Sequence, residues 1–396
     1  MIRKSRFHKC LISLILVCLL VVDSRTTILT TLSLDAFLWG LVNSLFGPSS
    51  LSLMSSFNVD FATVGVATSA ASFGAMFGIF TGRYADKYGA YYITRLSLFF
   101  LGLTTLLAGF ANSIFIFIGI YFLTGISIGT YQASSSQAIL DLYPENKIKM
   151  LSFNQAFFGI GSTIGPTLVA LIVSNFNSWK IAYMLYGGLL AVSMVFQFRI
   201  KQARTQSVTL SEGKSVKDNS FYVLLTAMFF MFIVGQAISS WLPTFIVTSN
   251  KATYLEASAL LSCYWGAGTV MRMFGWKLVD KTGEKKALVY FLSVCTICTL
   301  VAIGVTGFIP NAFIWGIVGL VYVPIYPLIM TVAYSKYRRN PGRAIGRLIF
   351  FANFGALITA PLIGTIDAIS GPNIATLIMP ISSLVVLMMF LKLNID

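Results

Sequence analysis

Apolar residues run almost unbroken in stretches of about twenty, and polar residues gather in short intervals between them. A bilayer crossing by an α-helix needs about 20 consecutive, mostly apolar residues. On that measure helices are predicted over 27–48, 60–81, 92–111, 113–138, 150–173 and 179–199, and again over 221–247, 255–276, 286–306, 309–334, 344–366 and 371–392. The interval 200–220, rich in Lys, Ser and Gln, is the one linker-like stretch. The chain therefore reads as an all-α integral membrane protein of twelve transmembrane helices. They fall into an N-terminal six-helix half (27–199) and a C-terminal one (221–392). Residues 1–26 form an extension: basic over 1–9, then apolar for thirteen residues from Cys10 to Val22. That run is too short to span, and no small-residue cleavage site follows it. It reads as an interfacial segment or as an extension dispensable for folding.

Composition agrees with the pattern: 57% of residues are hydrophobic and 10% charged, against about 25% charged in soluble domains. So little charge cannot cover a water-facing surface, which excludes a cytosolic enzyme, a nucleic-acid binder and a disordered protein. The net charge of +15 is explained by its location. Loops after even-numbered helices hold nineteen Lys and Arg, whereas the opposite side shows only Lys180 and Lys251. Basic loops mark the cytoplasmic side. The linker and both termini are accordingly expected in the cytoplasm, in a multi-pass protein of the plasma (inner) membrane. Cys10, Cys18, Cys263, Cys295 and Cys298 all lie in apolar stretches, and Cys295-x-x-Cys298 has no His or carboxylate nearby. No disulfide framework, metal site or cofactor is expected.

The halves repeat one another. Gly40 and Pro48 match Gly235 and Pro243, Asp86-Lys87-x-Gly89 matches Asp280-Lys281-x-Gly283, and Gly165-Pro166 matches Ala360-Pro361, all at offsets of 194 or 195. Matches in register across six helices indicate duplication, and transporters are commonly two such halves around a midplane site. Gly74-x3-Gly78-x3-Gly82-x3-Asp86-Lys87-x-Gly89 resembles the signature loop between helices 2 and 3 of the major facilitator superfamily, with Asp280-Lys281-Thr282-Gly283 similar to its second copy. The first copy has Ala90-Tyr91-Tyr92 where the family has basic residues, and the second has Trp276 in place of Gly82. Glycines every fourth residue leave a bare stripe that lets a neighbouring helix approach. An Asp just past a helix end suits the positive N-terminus of another helix. The resemblance implies that Asp86 faces the start of the eleventh helix and Asp280 that of the fifth. Together they would latch the outward-open state; the plainer alternative is a packed stripe with a solvated turn.

Charge inside the bilayer marks function by default. Asp35 is the one carboxylate placed inside a predicted helix, eight residues from its start, and is the proton-coupling candidate. If that helix begins later, Asp35 is merely interfacial. Arg272, about one turn from the end of the eighth helix, either clamps an anionic group of a substrate or snorkels to the surface. The single histidine, His8, lies in the extension, which excludes a histidine relay. Asn43, Gln132, Gln137, Asn154, Gln155, Gln236 and Asn353, with Trp241 and Tyr131, are the remaining intramembrane candidates. Amides offer donor and acceptor together and aromatic faces pack on sugar rings; such residues also link helices.

Two subfamily resemblances diverge. Gly235-Gln236 through Trp241-Leu242-Pro243 and Pro324-Ile325-Tyr326-Pro327 resemble helices 7 and 10 of fucose-permease-like sugar:proton symporters. That group has an acid four residues before the first-helix proline, where this chain has Ser44. Gly161-x3-Gly165-Pro166 is similar to the antiporter motif of drug exporters, whose fourth helix carries an arginine; here Leu123, Thr124 and Gly125 stand instead. The reading is a secondary active transporter, not an enzyme, acting as a monomer on a small solute. The leading form is uptake of a sugar or other polar metabolite with a proton. The alternatives are a proton-coupled drug or metabolite efflux antiporter and a transport-inactive membrane sensor. No G-x-x-x-x-G-K-[ST] loop is present, so gradients rather than ATP supply the energy.

Overall fold

A computed structural model describes residues 24–143, 147–197, 219–249, 252–336 and 341–392. The extension as far as residue 23 and most of the 200–220 linker lie outside the described residues. Among the described residues the chain is helical, with no strand.

The first span consists of α1 (Ser24–Asn43) and α2 (Phe46–Phe57), and the second of α3 (Phe61–Met76), a 3-10 turn (Phe77–Phe80) and α4 (Thr81–Tyr88). Spans three to six are α5 (Ala90–Ala108), α6 (Ile114–Leu142), α7 (Lys147–Phe176) and α8 (Trp179–Gln197). The second half repeats the plan. Its seventh span is α9 (Asn219–Gln236), a π turn (Ala237–Trp241) and α10 (Leu242–Thr248), and its eighth is α11 (Tyr254–Phe274) followed by α12 (Trp276–Thr282). Then come α13 (Glu284–Ala302), α14 (Phe308–Tyr322) with α15 (Ile325–Lys336), α16 (Pro341–Ser370), and α17 (Pro372–Ala375) with α18 (Ile378–Lys392). Ten of the twelve spans are long and apolar enough to cross a membrane on length and composition alone. The sixth is shorter, and the eighth carries Glu256 and Arg272.

One boundary moves substantially. The first span was expected to stop at residue 48, yet the helix resumes at Phe46 and reaches Phe57. The serine-rich stretch stays helical because its hydroxyls bond back to the helix: Ser50 Oγ donates to Gly47 O at 2.7 Å and Ser55 Oγ to Ser52 O at 3.1 Å. Such back-bonding satisfies a hydroxyl without water. The break at Ser44–Leu45 and the π turn at Ala237–Trp241 sit at matching points of the repeat, each just before a proline.

Span starts are capped. Asp60 accepts from Thr63 N at 2.8 Å, and the hydrogen bonds from Thr63 hold its carboxyl below the ordinary value. Thr253 and Glu256 form a reciprocal capping box at α11, satisfying donors that a helix end leaves free.

Lipid tails are as apolar as leucine, so close packing rather than the hydrophobic effect holds membrane helices together. Here glycines do this. Gly74 on α3 and Gly78 in the 3-10 turn that follows it lie against Gly125 and Gly129 on α6, close enough that any Cβ would collide with the facing backbone. Gly40 on α1 meets Gly161 on α7 in the same way. The halves join through α3 on α16 and α7 on α11, while Phe115, Ile309, Phe313 and Ile369 point outward to lipid.

Candidate functional site

Between the halves lies a cavity of about 250 Å³. Its N-terminal wall includes Trp39 and Asn43 from α1, Tyr121 and Gln132 from α6, Gln155 and Phe158 from α7, and Tyr183 from α8. Its C-terminal wall includes Phe232 and Gln236 from α9, Tyr264, Trp265 and Arg272 from α11, Tyr322 and Tyr326, and Asn353 from α16.

Aromatic rings form a continuous surface. Phe158 stacks 4.1 Å from Trp39 and meets Trp265 of the other half edge-on at 5.5 Å. Trp39 also lies 5.2 Å from Tyr131, which is buried behind it. Arg272 reaches across the halves: Nη1 donates to Gln155 O at 3.3 Å, and the guanidinium lies 5.8 Å from the Phe158 ring. It does not snorkel away; a side chain on a helix leans toward that helix's N-terminus, which here brings it to the cavity wall. Tyr322 donates its hydroxyl to Met231 O, and the Tyr121 and Tyr183 hydroxyls pair at 2.7 Å.

Three buried donors around Phe158 and Trp265, namely Trp39 Nε1, Tyr264 Oη and Arg272 Nε, have no hydrogen-bond partner among the described residues. A buried polar group left unpaired costs about 1–3 kcal/mol, more if charged. Trp39 belongs to the N-terminal wall, and Tyr264 and Arg272 to the C-terminal wall. Among the described residues on the wall none is acidic.

The structure thus gathers Asn43, Gln132, Gln236, Arg272 and Asn353 at one cavity, with Gln155. Three candidates fall elsewhere. Asn154 is buried and donates Nδ2 to Leu32 O at 2.8 Å, tying α7 to α1. Trp241 fills the gap at Gly65 and packs edge-on at 6.5 Å to Phe46, and Gln137 is partly buried on α6 off the wall. Tyr264, Trp265, Tyr322 and Phe158 escaped the sequence reading, because an aromatic within an apolar run carries no sign of which way it faces.

Asp35 is fully buried in the N-terminal half, off the cavity wall. Its Oδ1 accepts from Gln197 Nε2 at 2.6 Å, while Oδ2 and Gln197 Oε1 have no partner among the described residues. Arg95 on α5 is within electrostatic reach and donates Nη2 to Tyr91 Oη at 2.8 Å. Tyr131, packed on Trp39, lies beside both Asp35 and the wall residue Ser135.

Of the signature motif, Gly74 and Gly78 serve the α3–α6 contact described above. Asp86 and Lys87 end α4 and Asp280 and Lys281 end α12, each pair followed by a positive-φ glycine, Gly89 at 92° and Gly283 at 82°. The surroundings of Gly82, Asp86 and Asp280 lie outside the described residues.

Hydrogen bonds between the halves begin at the end opposite the basic loops. There Tyr254 donates to Pro48 O, and Ser50 Oγ pairs with Thr244 Oγ1 at 2.6 Å. Nearer the cavity, Thr167 pairs with Ser262 at 2.8 Å and Ser69 Oγ donates to Leu357 O at 2.7 Å. Toward the basic end α6 and α15 flank the cavity without substantial packing on the opposite half.

A family model described as Major Facilitator Superfamily matches residues 32–342. The 4-hydroxybenzoate transporter PcaK of Pseudomonas aeruginosa is 24% identical over 305 residues, covering 65% of this chain and 67% of PcaK. The sialic acid transporter NanX of Escherichia coli is 25% identical over 243 residues, covering 58% of each chain. The crystal structure of the Major Facilitator Superfamily transporter FucP in the outward conformation superposes with a TM-score of 0.68 at 18% identity, over 93% of this chain and 99% of that one. A structure of a variant of the E. coli fucose:proton symporter FucP does so equally well, at 19% identity. These likenesses establish the fold.

Proposed function

The chain belongs to the Major Facilitator Superfamily, and from that premise we propose that it takes up a small polar solute by alternating access, coupled to a proton held at Asp35. The observation carrying this reading is a cavity walled by both halves, with inter-half contacts running from one end as far as that cavity. The relatives named above carry 4-hydroxybenzoate or sialic acid, both small polar solutes. A cavity of about 250 Å³, smaller than the roughly 300–1,000 Å³ usual for ligand pockets, suits such a molecule better than a bulky drug.

Basic loops place the 200–220 linker and both termini in the cytoplasm of the plasma (inner) membrane. With that orientation the arrangement is inward-facing: the outer ends of the halves meet and the cavity addresses the cytoplasm. Asp86 and Asp280, with Lys87 and Lys281, form the cytoplasmic latch of the opposite, outward-facing state. The protein works as a monomer, since each chain encloses its own cavity.

Asp35 suits a proton carrier because Gln197 serves both of its protonation states. The ionised carboxylate accepts from Nε2 as observed, and the protonated acid has Oε1 as an acceptor, an amide offering both. Trp39 and Tyr131 stand between Asp35 and the cavity, so solute packing on Trp39 is felt at the carboxylate one helical turn away.

The test is uptake into proteoliposomes with an imposed inward proton gradient. Asp35→Asn is expected to abolish gradient-driven accumulation while preserving solute exchange without a gradient. Accumulation at the wild-type level in this variant would remove Asp35 from the coupling mechanism.

A further inference from the structure

Arg272 is a permanent cation, since guanidinium does not deprotonate in proteins. It is placed at bilayer depth, where uncompensated charge is unfavourable, and on the wall of a cavity that shows no carboxylate among its described residues. Asp35, the carboxylate buried in the N-terminal half, accepts from Gln197 behind the Trp39–Tyr131 pair. Among the described residues the charge of Arg272 therefore has no counter-ion on the cavity wall. Its Nη1 is committed to Gln155 O, which fixes the guanidinium plane, while Nε has no partner among the described residues. Tyr264, two turns earlier on the same helix and within electrostatic reach of Arg272, also presents a buried hydroxyl without a partner. Trp39 Nε1 is a third such donor. All three groups donate, and one carries a full positive charge.

We propose that the solute is a small cyclic monocarboxylate, its carboxylate held by Arg272 and its ring lying against the aromatic lining of the cavity. The inference rests on the transporter reading and narrows it to a substrate class. One cation with no acid among the described wall residues matches one negative charge. A phosphate ester, with about two charges at neutral pH, would need a second cation or a helix N-terminus, and neither lines this wall. Trp39, Phe158 and Trp265 pack on one another at 4.1 and 5.5 Å, and together with Tyr322 and Tyr326 they give the cavity an aromatic lining against which a ring can pack. The amides of Gln132 and Gln236 face the cavity from the two halves and suit ring hydroxyls. An organic cation is excluded by the same charge that favours an anion.

The experiment compares matched solutes in proteoliposomes of the full-length protein: 4-hydroxybenzoate against 4-hydroxybenzamide, glucuronate against glucose, and glucose 6-phosphate as the doubly charged competitor. The acid of at least one pair is expected to be carried and its neutral partner not. Arg272→Gln is expected to weaken uptake of that acid roughly ten- to hundredfold, the size of a lost charge-assisted hydrogen bond. Arg272→Lys, which keeps the charge, should recover part of it and so separates loss of charge from misfolding. In Asp35→Asn the preference for the acid should persist in gradient-free exchange, so a failure of the proton assignment is distinguishable. Neutral solutes carried as well as their acids, preference for the phosphate ester, or full activity in Arg272→Gln would each overturn the proposal. Movement of none of these solutes would overturn it together with the transporter reading.

Discussion

Gly89 and Gly283 stand 194 residues apart at corresponding points of the two halves, and each joins the short helix carrying Asp-Lys to the following span. Their φ values of 92° and 82° lie where a side chain is strained. At Gly283 a Cβ would meet nothing within 4 Å, so only the backbone conformation opposes substitution. Gly283→Ala is thus expected to destabilise by roughly 1–3 kcal/mol, read as a lower melting temperature of the purified protein in detergent. An unchanged melting temperature would mean that the turn relaxes freely. Charged residues within apolar runs announced themselves in the sequence: Asp35 proves to be buried beside Gln197, and Arg272 partly buried on the cavity wall. Neutral residues did not. Asn154 and Gln155 are neighbours of similar chemistry, yet successive side chains on a helix diverge by about 100°. One ties α7 to Leu32 and the other reaches the cavity wall. Only the placement of the neighbouring helices decides between them.

At the scale of elements, the apolar runs coincide with all twelve helical spans, ten of which are long and apolar enough on their own to cross a bilayer. Hydropathy located poorly the breaks inside them. The interruption at Ser44–Leu45 and the π turn at Ala237–Trp241 leave no mark in hydropathy, and their only sequence sign is the proline after each, Pro48 and Pro243. The serines past Pro48 looked like a loop because their hydroxyls were counted as polar, whereas back-bonding to the helix hides them. Glycine spacing was more informative, since a bare stripe has one physical use, close approach. Gly129 takes the backbone of Ala75 at a distance that no side chain permits. Gly129→Leu should push α3 from α6 and, by analogy with overpacked cores, destabilise by about 1–3 kcal/mol. The check is thermal unfolding compared with Gly188→Leu, since Gly188 has open space around its Cβ position. Equal effects of the two substitutions would mean that the α3–α6 contact is not specially tight.

For the molecule as a whole, the two-half architecture could be read from the repeat, whereas the conformational state could not, because the same sequence must support every state of the cycle. The contacts that define the present state are few and local. Ser50 on α2 and Thr244 on α10 pair at 2.6 Å, and they are exchangeable in a way that a packed core is not, since two hydroxyls can transfer their hydrogen bonds to water as the halves part. If this contact belongs to a moving gate, fixing it must arrest transport while leaving the cavity intact. The oxygen separation brings the two Cβ atoms into the range of a disulfide, about 3.5–4.5 Å. In a background freed of Cys10, Cys18, Cys263, Cys295 and Cys298, Ser50→Cys with Thr244→Cys is expected to lose uptake on oxidation and regain it on reduction. The oxidised protein should still bind a cavity ligand presented from the side of the basic loops, because the bond lies at the opposite end. Uptake that survives a complete cross-link would show that the outer ends of α2 and α10 stay together throughout the cycle, and that the halves separate along α3 and α16 instead.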